Sequence, residues 1–148
     1  AIAGDNGFIR TVRDWARLIS ANNDTAYVYY FSRPVPVFRL YMPSMPDLSG
    51  DGGARSLGAY HSGELAYVFD NLSTVGIGWA SDDHLLSATI ADYWFNFAKS
   101  GNPNAPDLPY WPAYEPTKDE VQVLDAEVRN AVHPRSAHMD RIAALATQ

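Results

Sequence analysis

The stretch Gly58-Ala59-Tyr60-His61-Ser62-Gly63-Glu64-Leu65-Ala66-Tyr67-Val68-Phe69 places one histidine on a turn of small residues, a carboxylate three positions later, and then an apolar run. The run after Glu64 reads as a short helix with Leu65, Val68 and Phe69 facing inward, so the turn stands at the edge of a core. That arrangement suits a catalytic base held at the mouth of a buried site. The plainer reading is a structural histidine, which such turns carry more often. A carboxylate on an apolar turn is costly unless hydrogen-bonded. Glu64 therefore either caps the helix start by accepting backbone N–H bonds or supports the histidine turn from behind. His61 and Glu64 are too close in sequence to give the in-line geometry of a catalytic pair.

Upstream of this turn, a first helix is expected from about Asn6 to Ala21, with Phe8, Val12, Trp15, Ala16 and Ile19 on its buried face and Arg10, Arg13, Asp14 and Arg17 mostly on the other. Asp5 or Asn6 is placed to cap it, and Asn22-Asn23 ends it. Thr25 to Ser32 reads Thr-Ala-Tyr-Val-Tyr-Tyr-Phe-Ser, with six central residues apolar or aromatic and no alternation. Such a segment suits a strand buried on both faces of a parallel sheet. A strand of that kind needs neighbours on both sides, and the rest of the chain offers few. Residues 33–57 then form a long irregular connection, broken by Pro34, Pro36, Pro43 and Pro46 and ending in a Gly-rich tip at Ser49-Gly50-Asp51-Gly52-Gly53. Phe38, Tyr41, Met42 and Met45 either anchor this loop or line a pocket entrance, and anchoring is the favoured reading.

Downstream, Ser81 reads as the cap of the clearest helix. Asp82 and Asp83 complement its positive end, Lys99 its negative end, and Gly101 closes it. Leu86, Ile90, Trp94 and Phe97 form its expected buried stripe. A proline-rich segment runs from Asn102 to Thr117 around Tyr110, Trp111 and Tyr114. Val121-Gln122-Val123-Leu124 has the look of a short edge strand, and a last helix starting at Pro134 carries Met139, Ile142 and Leu145. No repeat and no linker divides the sequence, so residues 1–148 read as one domain or part of one.

Composition narrows the function classes. The 148 residues are 47% hydrophobic and 19% charged, the balance of a folded soluble protein. A net charge of −6 leaves no basic patch for phosphates, so a nucleic-acid surface is excluded. No apolar run approaches the length of a membrane span. The absence of cysteine excludes disulfides and cysteine-rich zinc sites. None of the four histidines, His61, His84, His133 and His138, forms the i,i+4 pair of a helical metal site. There is no phosphate-binding glycine loop either, so neither metal nor cofactor is expected. His84 in the first turn of a helix is expected to be a neutral surface residue, and His133 and His138 are expected to be exposed. The chain contains no Gly-x-Ser-x-Gly elbow; Ser62 lies next to His61, but adjacent side chains diverge and the strand-to-helix turn of an elbow is missing.

Several segments together resemble the C-terminal part of the type-B carboxylesterases, the α/β-hydrolase family that includes the cholinesterases. They are Gly58 to Phe69; Trp15-Ala16 followed by Tyr27-Val28-Tyr29-Tyr30-Phe31; Ile90-Ala91-Asp92-Tyr93-Trp94-Phe95-Asn96-Phe97-Ala98-Lys99-Ser100-Gly101-Asn102-Pro103-Asn104; and Leu108-Pro109-Tyr110-Trp111-Pro112-Ala113-Tyr114. They occur in the family's order and cover most of the chain. The resemblance implies an α/β fold: the C-terminal fragment of an α/β-hydrolase, with helices, one buried strand, a short edge strand and an incomplete sheet. It implies that His61 is the family's catalytic histidine and Glu64 the glutamate that follows it. It implies hydrolysis of a small-molecule carboxylic ester by serine acyl transfer, in which a serine attacks, the histidine carries the proton and an acid orients the ring. Because chain order in this fold is serine, acid, histidine, the nucleophile, acid and oxyanion loop belong upstream. The partner implied is then the remaining N-terminal part of the same esterase, and the fragment alone is expected to be inactive. The lack of cysteines typical of secreted animal members favours a bacterial-type enzyme.

Two other readings compete. A non-catalytic esterase-like interaction protein would need neither His61 nor Glu64. A small aromatic-rich binding module would use Trp79, Trp111, Tyr110 and Tyr114, and requires those rings to be exposed and coplanar.

Overall fold

A computed structural model describes residues 8–36, 58–74 and 78–145. By its contacts the chain divides into two compact units. One comprises Ala1–Tyr30, Trp111–Val123 and Arg129–Gln148; the other comprises Phe31–Tyr110 and Leu124–Val128. The three described strands form a mixed sheet in the order β1-β2-β3: β1 Tyr29–Phe31, β2 Glu120–Leu124 and β3 Arg129–Val132. Together with the helices they make an α/β arrangement with a small sheet.

In the first unit, helix α1 spans Arg10–Ala21 and follows a wider π-type turn at Phe8–Ile9. It ends where Asn22-Asn23 was expected to end it: the Asn22 N–H bonds to Leu18 O and Ile19 O, and Asn23 turns left-handed at φ 61°. The expected capping residues Asp5 and Asn6 lie outside the described residues. Of the face that the periodicity of α1 suggests, Ala16 is buried and the large apolar residues are not. Arg13 and Ala16 are buried, whereas Phe8, Val12, Trp15 and Ile19 are exposed, Phe8 and Trp15 at 70% and 67%. The reason lies in the partners of Arg13. Its Nε donates to Asp119 Oδ1 at 3.1 Å, its Nη2 lies 2.7 Å from Asp119 Oδ2, and its Nη1 donates to Asp140 Oδ1 at 2.6 Å. A two-pronged guanidinium–carboxylate pair of this kind satisfies a charge that would otherwise resist burial. Arg13 is therefore an interior residue and not part of a solvated face.

The expected long strand over 25–32 is shorter. Val28 is buried, but β1 begins at Tyr29 and all three of its residues are half-buried. Gln122 N–H bonds to Val28 O at 2.9 Å and Ser32 N–H to Leu124 O at 3.0 Å, so β1 and β2 advance together as a parallel pair. β2 is not an edge strand. It is central, with Val121, Gln122, Val123 and Leu124 all buried, because β3 covers its other side. That second pairing is antiparallel, with Val121 opposite Ala131 and Val123 opposite Arg129. Ala16, Val28, Tyr114, Val121 and Val123 make the apolar core of this unit. Helix α4 spans Ser136–Leu145, with Pro134-Arg135 forming a turn before it. Met139 is buried on α4 and Leu145 is exposed.

The second unit is built on two packed helices, α2 (Leu65–Val68) and α3 (Ser81–Ser100). A short 3-10 turn, Leu72–Thr74, follows α2. On α2 the residue turned inward is Tyr67, fully buried, while Leu65 and Phe69 are exposed and Val68 is half-buried. Ala80, not Ser81, sits at the cap of α3, in an extended conformation. It has no side-chain acceptor, and the Asp83 carboxylate reaches back to take the Ala80 N–H at 2.8 Å. Gly101 closes α3 at φ 74°, its N–H bonding to Phe97 O at 2.7 Å. Leu86 and Ile90 are buried as expected, with Tyr93 beside them; Trp94 is half-buried and Phe97 is exposed. The Tyr93 hydroxyl donates to Pro109 O and Asn96 Nδ2 to Pro103 O at 3.3 Å, which ties the proline-rich segment to α3, while Asn104 N–H bonds to Asn102 Oδ1 at 3.0 Å within it. Phe38, Tyr41, Met42, Met45 and the glycine tip lie outside the described residues.

Candidate active site

The His61 turn follows the carboxyl end of β1. In open sheets, parallel strands deliver their functional loops at that end. Ser32, the first residue after β1, bonds through its N–H to Leu124 O, and its hydroxyl donates to Asp125 Oδ2 at 2.6 Å. Three residues on, the buried Val35 donates its N–H to Gly58 O at 3.2 Å, and the Tyr60 hydroxyl reaches Pro36 O at 3.4 Å. The Ser32–Pro36 segment is thus the floor on which Gly58 to Gly63 rest.

Two small-residue requirements shape the turn. Gly58 adopts φ 66°, a left-handed conformation that costs glycine nothing. Gly63 is buried for a different reason: a Cβ there would stand 3.0 Å from Tyr60 O and 3.0 Å from Val35 Cγ2. Between them Ser62 is held left-handed at φ 67°, which a side-chain-bearing residue adopts only when its surroundings impose it. The Gly63 N–H closes the turn onto Tyr60 O at 3.0 Å, and Leu65 N–H bonds to Ser62 O at 3.3 Å. His61 stands exposed at the first position of this turn. The result is an accessible imidazole on a backbone fixed from both sides.

Glu64 is half-buried at the cap position of α2. Its backbone oxygen accepts the N–H groups of Tyr67 and Val68 at 2.9 and 3.0 Å, but its side chain makes no cap hydrogen bond. The capping reading of the Glu64 carboxylate is therefore not realised.

Sequence reasoning missed the group that ties this region together. Asp83 is fully buried, and its Oδ1 accepts from Arg33 Nε at 2.8 Å and from the Tyr67 hydroxyl at 2.9 Å. Burial alone lowers the Arg33 pKa, but the hydrogen bond and charge of Asp83 outweigh it and hold the guanidinium protonated. Tyr67 is also boxed edge-on by Phe31 and Trp79, with ring centroids 5.3 and 5.5 Å away. From sequence, Asp83 looked only like a complement to the helix dipole. Ala80 at the cap position hid the pattern that marks a reaching carboxylate.

The other histidines contrast with His61. His84 is exposed, as expected, and His138 is half-buried. His133 is buried, contrary to expectation, because it lies against the polar core of the first unit. Its Nδ1 accepts the Arg135 N–H at 3.1 Å and its ring meets Tyr30 edge-on at 5.5 Å. Burial pushes its pKa below the ordinary imidazole value, Asp119 pulls the other way, and the Arg13 charge reinforces the depression. His133 is therefore a neutral structural residue. The aromatic-module reading fails as well: Trp111 and Tyr114 are buried, and Trp111 meets Tyr27 edge-on at 81° rather than lying in one plane with exposed rings.

A model described as the carboxylesterase family matches residues 1–142 of this chain. The chain belongs to the carboxylesterase family. Among this family chain's relatives, mouse acylcarnitine hydrolase is 33% identical over 107 residues, covering 72% of the chain and 17% of the relative. Bovine carboxylesterase 4A is 36% identical over 85 residues, covering 57% of the chain and 15% of that protein. The carboxylesterase chain thus spans about a sixth of the length of these relatives. Among solved structures, the carboxylesterase EST55 of Geobacillus stearothermophilus superposes with a TM-score of 0.60 at 25% identity, over 82% of this chain and 22% of that one. An esterase of Clostridium hathewayi superposes with a TM-score of 0.68 at 16% identity, over 87% of this chain and 23% of that one. The likeness identifies the architecture as part of an α/β-hydrolase fold.

Proposed function

We propose that this chain is the C-terminal part of a carboxylic ester hydrolase and that His61 is its catalytic base. The observation that carries the reading is the His61 turn. It presents an exposed imidazole beyond the carboxyl end of a parallel strand, on a backbone fixed by Gly58, Ser62 and Gly63. In the reaction, a serine from the preceding part of the protein attacks the ester carbonyl. His61 takes the serine proton and then delivers it to the leaving alcohol; water repeats the cycle on the acyl-enzyme. An acid from the same missing part orients the imidazole, and backbone N–H groups there hold the oxyanion. Glu64 supports the turn from beside it. The exposed apolar residues of α1 support the partner reading, because Phe8, Val12, Trp15 and Ile19 present a stripe that the preceding part of the domain would cover.

The test is His61→Ala in the whole carboxylesterase of which this chain is proposed to be part. The expected loss in kcat/KM toward a small carboxylic ester is about 10⁴-fold or more, with the fold intact by circular dichroism. Near-normal hydrolysis would overturn the assignment of His61; a whole protein with no elbow serine would instead favour the non-catalytic, esterase-like reading.

A further inference from the structure

We propose that Asp83 is a positioning residue that clamps the two segments flanking the His61 turn. The proposal rests on the reading of His61 as the base. It is carried by what converges on one buried carboxylate. Arg33 donates to Oδ1 at 2.8 Å and lies two residues before Val35, the floor of the turn. Tyr67 donates to the same oxygen at 2.9 Å and lies on α2, the helix into which the turn runs. Oδ2 takes the Ala80 N–H at 2.8 Å and so fixes the start of α3.

A carboxylate that served only as a helix cap would need the Ala80 contact alone. The Oδ1 contacts are the ones that reach the two sides of the turn. Both sides then press on it directly: Val35 N–H bonds to Gly58 O at 3.2 Å, the space for a Gly63 Cβ is closed by Val35 Cγ2 at 3.0 Å, and Leu65 N–H bonds to Ser62 O at 3.3 Å. The strained φ of 67° at Ser62 persists only while its neighbours are held. A second anchor braces α2 from α3, since the Ser87 hydroxyl donates to Asp70 Oδ1 at 2.8 Å and lies 3.2 Å from Tyr67 O. Because the fully buried Asp83 pairs with the half-buried Arg33, loss of the carboxylate removes the guanidinium's hydrogen-bonded counter-ion.

Two variants of the whole carboxylesterase test the clamp. Asp83→Asn removes the charge and, in either amide orientation, one set of acceptor contacts. Tyr67→Phe removes a single donor to Oδ1, leaves the α3 cap intact and stays foldable. In both, amide exchange at Gly63, Tyr67 and Val68 is expected to rise about tenfold or more, while exchange at Arg129 and Ala131 of β3, opposite Val123 and Val121, stays the same. kcat is expected to fall roughly 10–100-fold, more in Asp83→Asn, with KM within about threefold, the pattern of a displaced catalytic group. Unchanged exchange in the turn, or a rise of equal size across the whole chain, would overturn the clamp. So would unchanged kcat in a protein whose His61→Ala variant is inactive. Activity in His61→Ala would instead overturn the reading of the site; the clamp is decided separately by the exchange of the turn.

Discussion

A methyl group at Gly63 would meet a backbone oxygen, Tyr60 O, and a buried methyl, Val35 Cγ2, each at 3.0 Å. Neither can withdraw freely, because Tyr60 O accepts the Gly63 N–H and Val35 is fully buried. Gly63→Ala is therefore expected to destabilise by about 1–3 kcal/mol, as overpacking of a tight site does, and urea denaturation reads it directly; an unchanged midpoint would show that the floor of the turn yields. The first unit contributes a pH effect at the same scale. Its polar cluster joins the buried Arg13, Asp119 and Tyr114 to the half-buried Ser136 and the exposed Asp140, with the Tyr114 hydroxyl donating to Asp119 Oδ1 at 2.6 Å and Ser136 to Oδ2 at 2.5 Å. Burial alone would raise the Asp119 pKa, but these bonds and Arg13 hold it below 3.8, so its stabilisation is fully present above that value and is lost as pH falls through the folded value. His133 is depressed below 6.5 by burial, so the unfolded chain takes its proton first and stability declines as pH drops below about 6.5. The urea midpoint should fall between pH 7.5 and 5, and His133→Gln should flatten part of that slope; an identical slope in the variant would remove His133 as its source. None of this cluster was legible in the sequence. Arg13 and Asp119 are 106 positions apart, and a charged residue is buried only when a distant partner meets it.

At the scale of elements, what the sequence made plain was where helices and strands stop. Asn22-Asn23 and Gly101 end their helices for reasons local to the chain, and both stand where expected. Which face an element buries was harder to read. α1 has a clear apolar stripe, yet the described structure buries its Arg13 and exposes its tryptophan, so periodicity alone did not name the buried face. β2 reads from sequence as an edge because β3, Arg-Asn-Ala-Val, has only two apolar residues to announce it. The stripe gives a differential prediction. Trp15→Glu should cost within about 0.5 kcal/mol in the 148-residue chain alone, as an exposed substitution does, but roughly 3–5 kcal/mol in the whole carboxylesterase, where the proposed covering part buries the indole. Equal small effects in both proteins would show that α1 faces solvent in each.

For the molecule as a whole, the segments that made the family readable include helix and strand residues and two turns with strict backbone needs. Gly58 is fixed by its conformation, Gly63 by its contacts, and Asn102 and Asn104 by a local turn. Catalysis is a different matter, since acyl transfer needs a nucleophile beside the base, and Ser62 is the serine adjacent to His61. Ser62 is exposed, but its backbone sits at φ 67° within the histidine's own turn, not on the strand-to-helix elbow that aims a nucleophile across a sheet. The 148-residue chain alone should therefore hydrolyse p-nitrophenyl butyrate no faster than buffer and take up no serine-directed fluorophosphonate. The whole carboxylesterase should do both and should carry the label on a serine preceding this chain. Mass spectrometry of the tryptic peptides locates the label. Modification of Ser62 in the isolated chain would place a nucleophile beside His61 and remove the need for any upstream part.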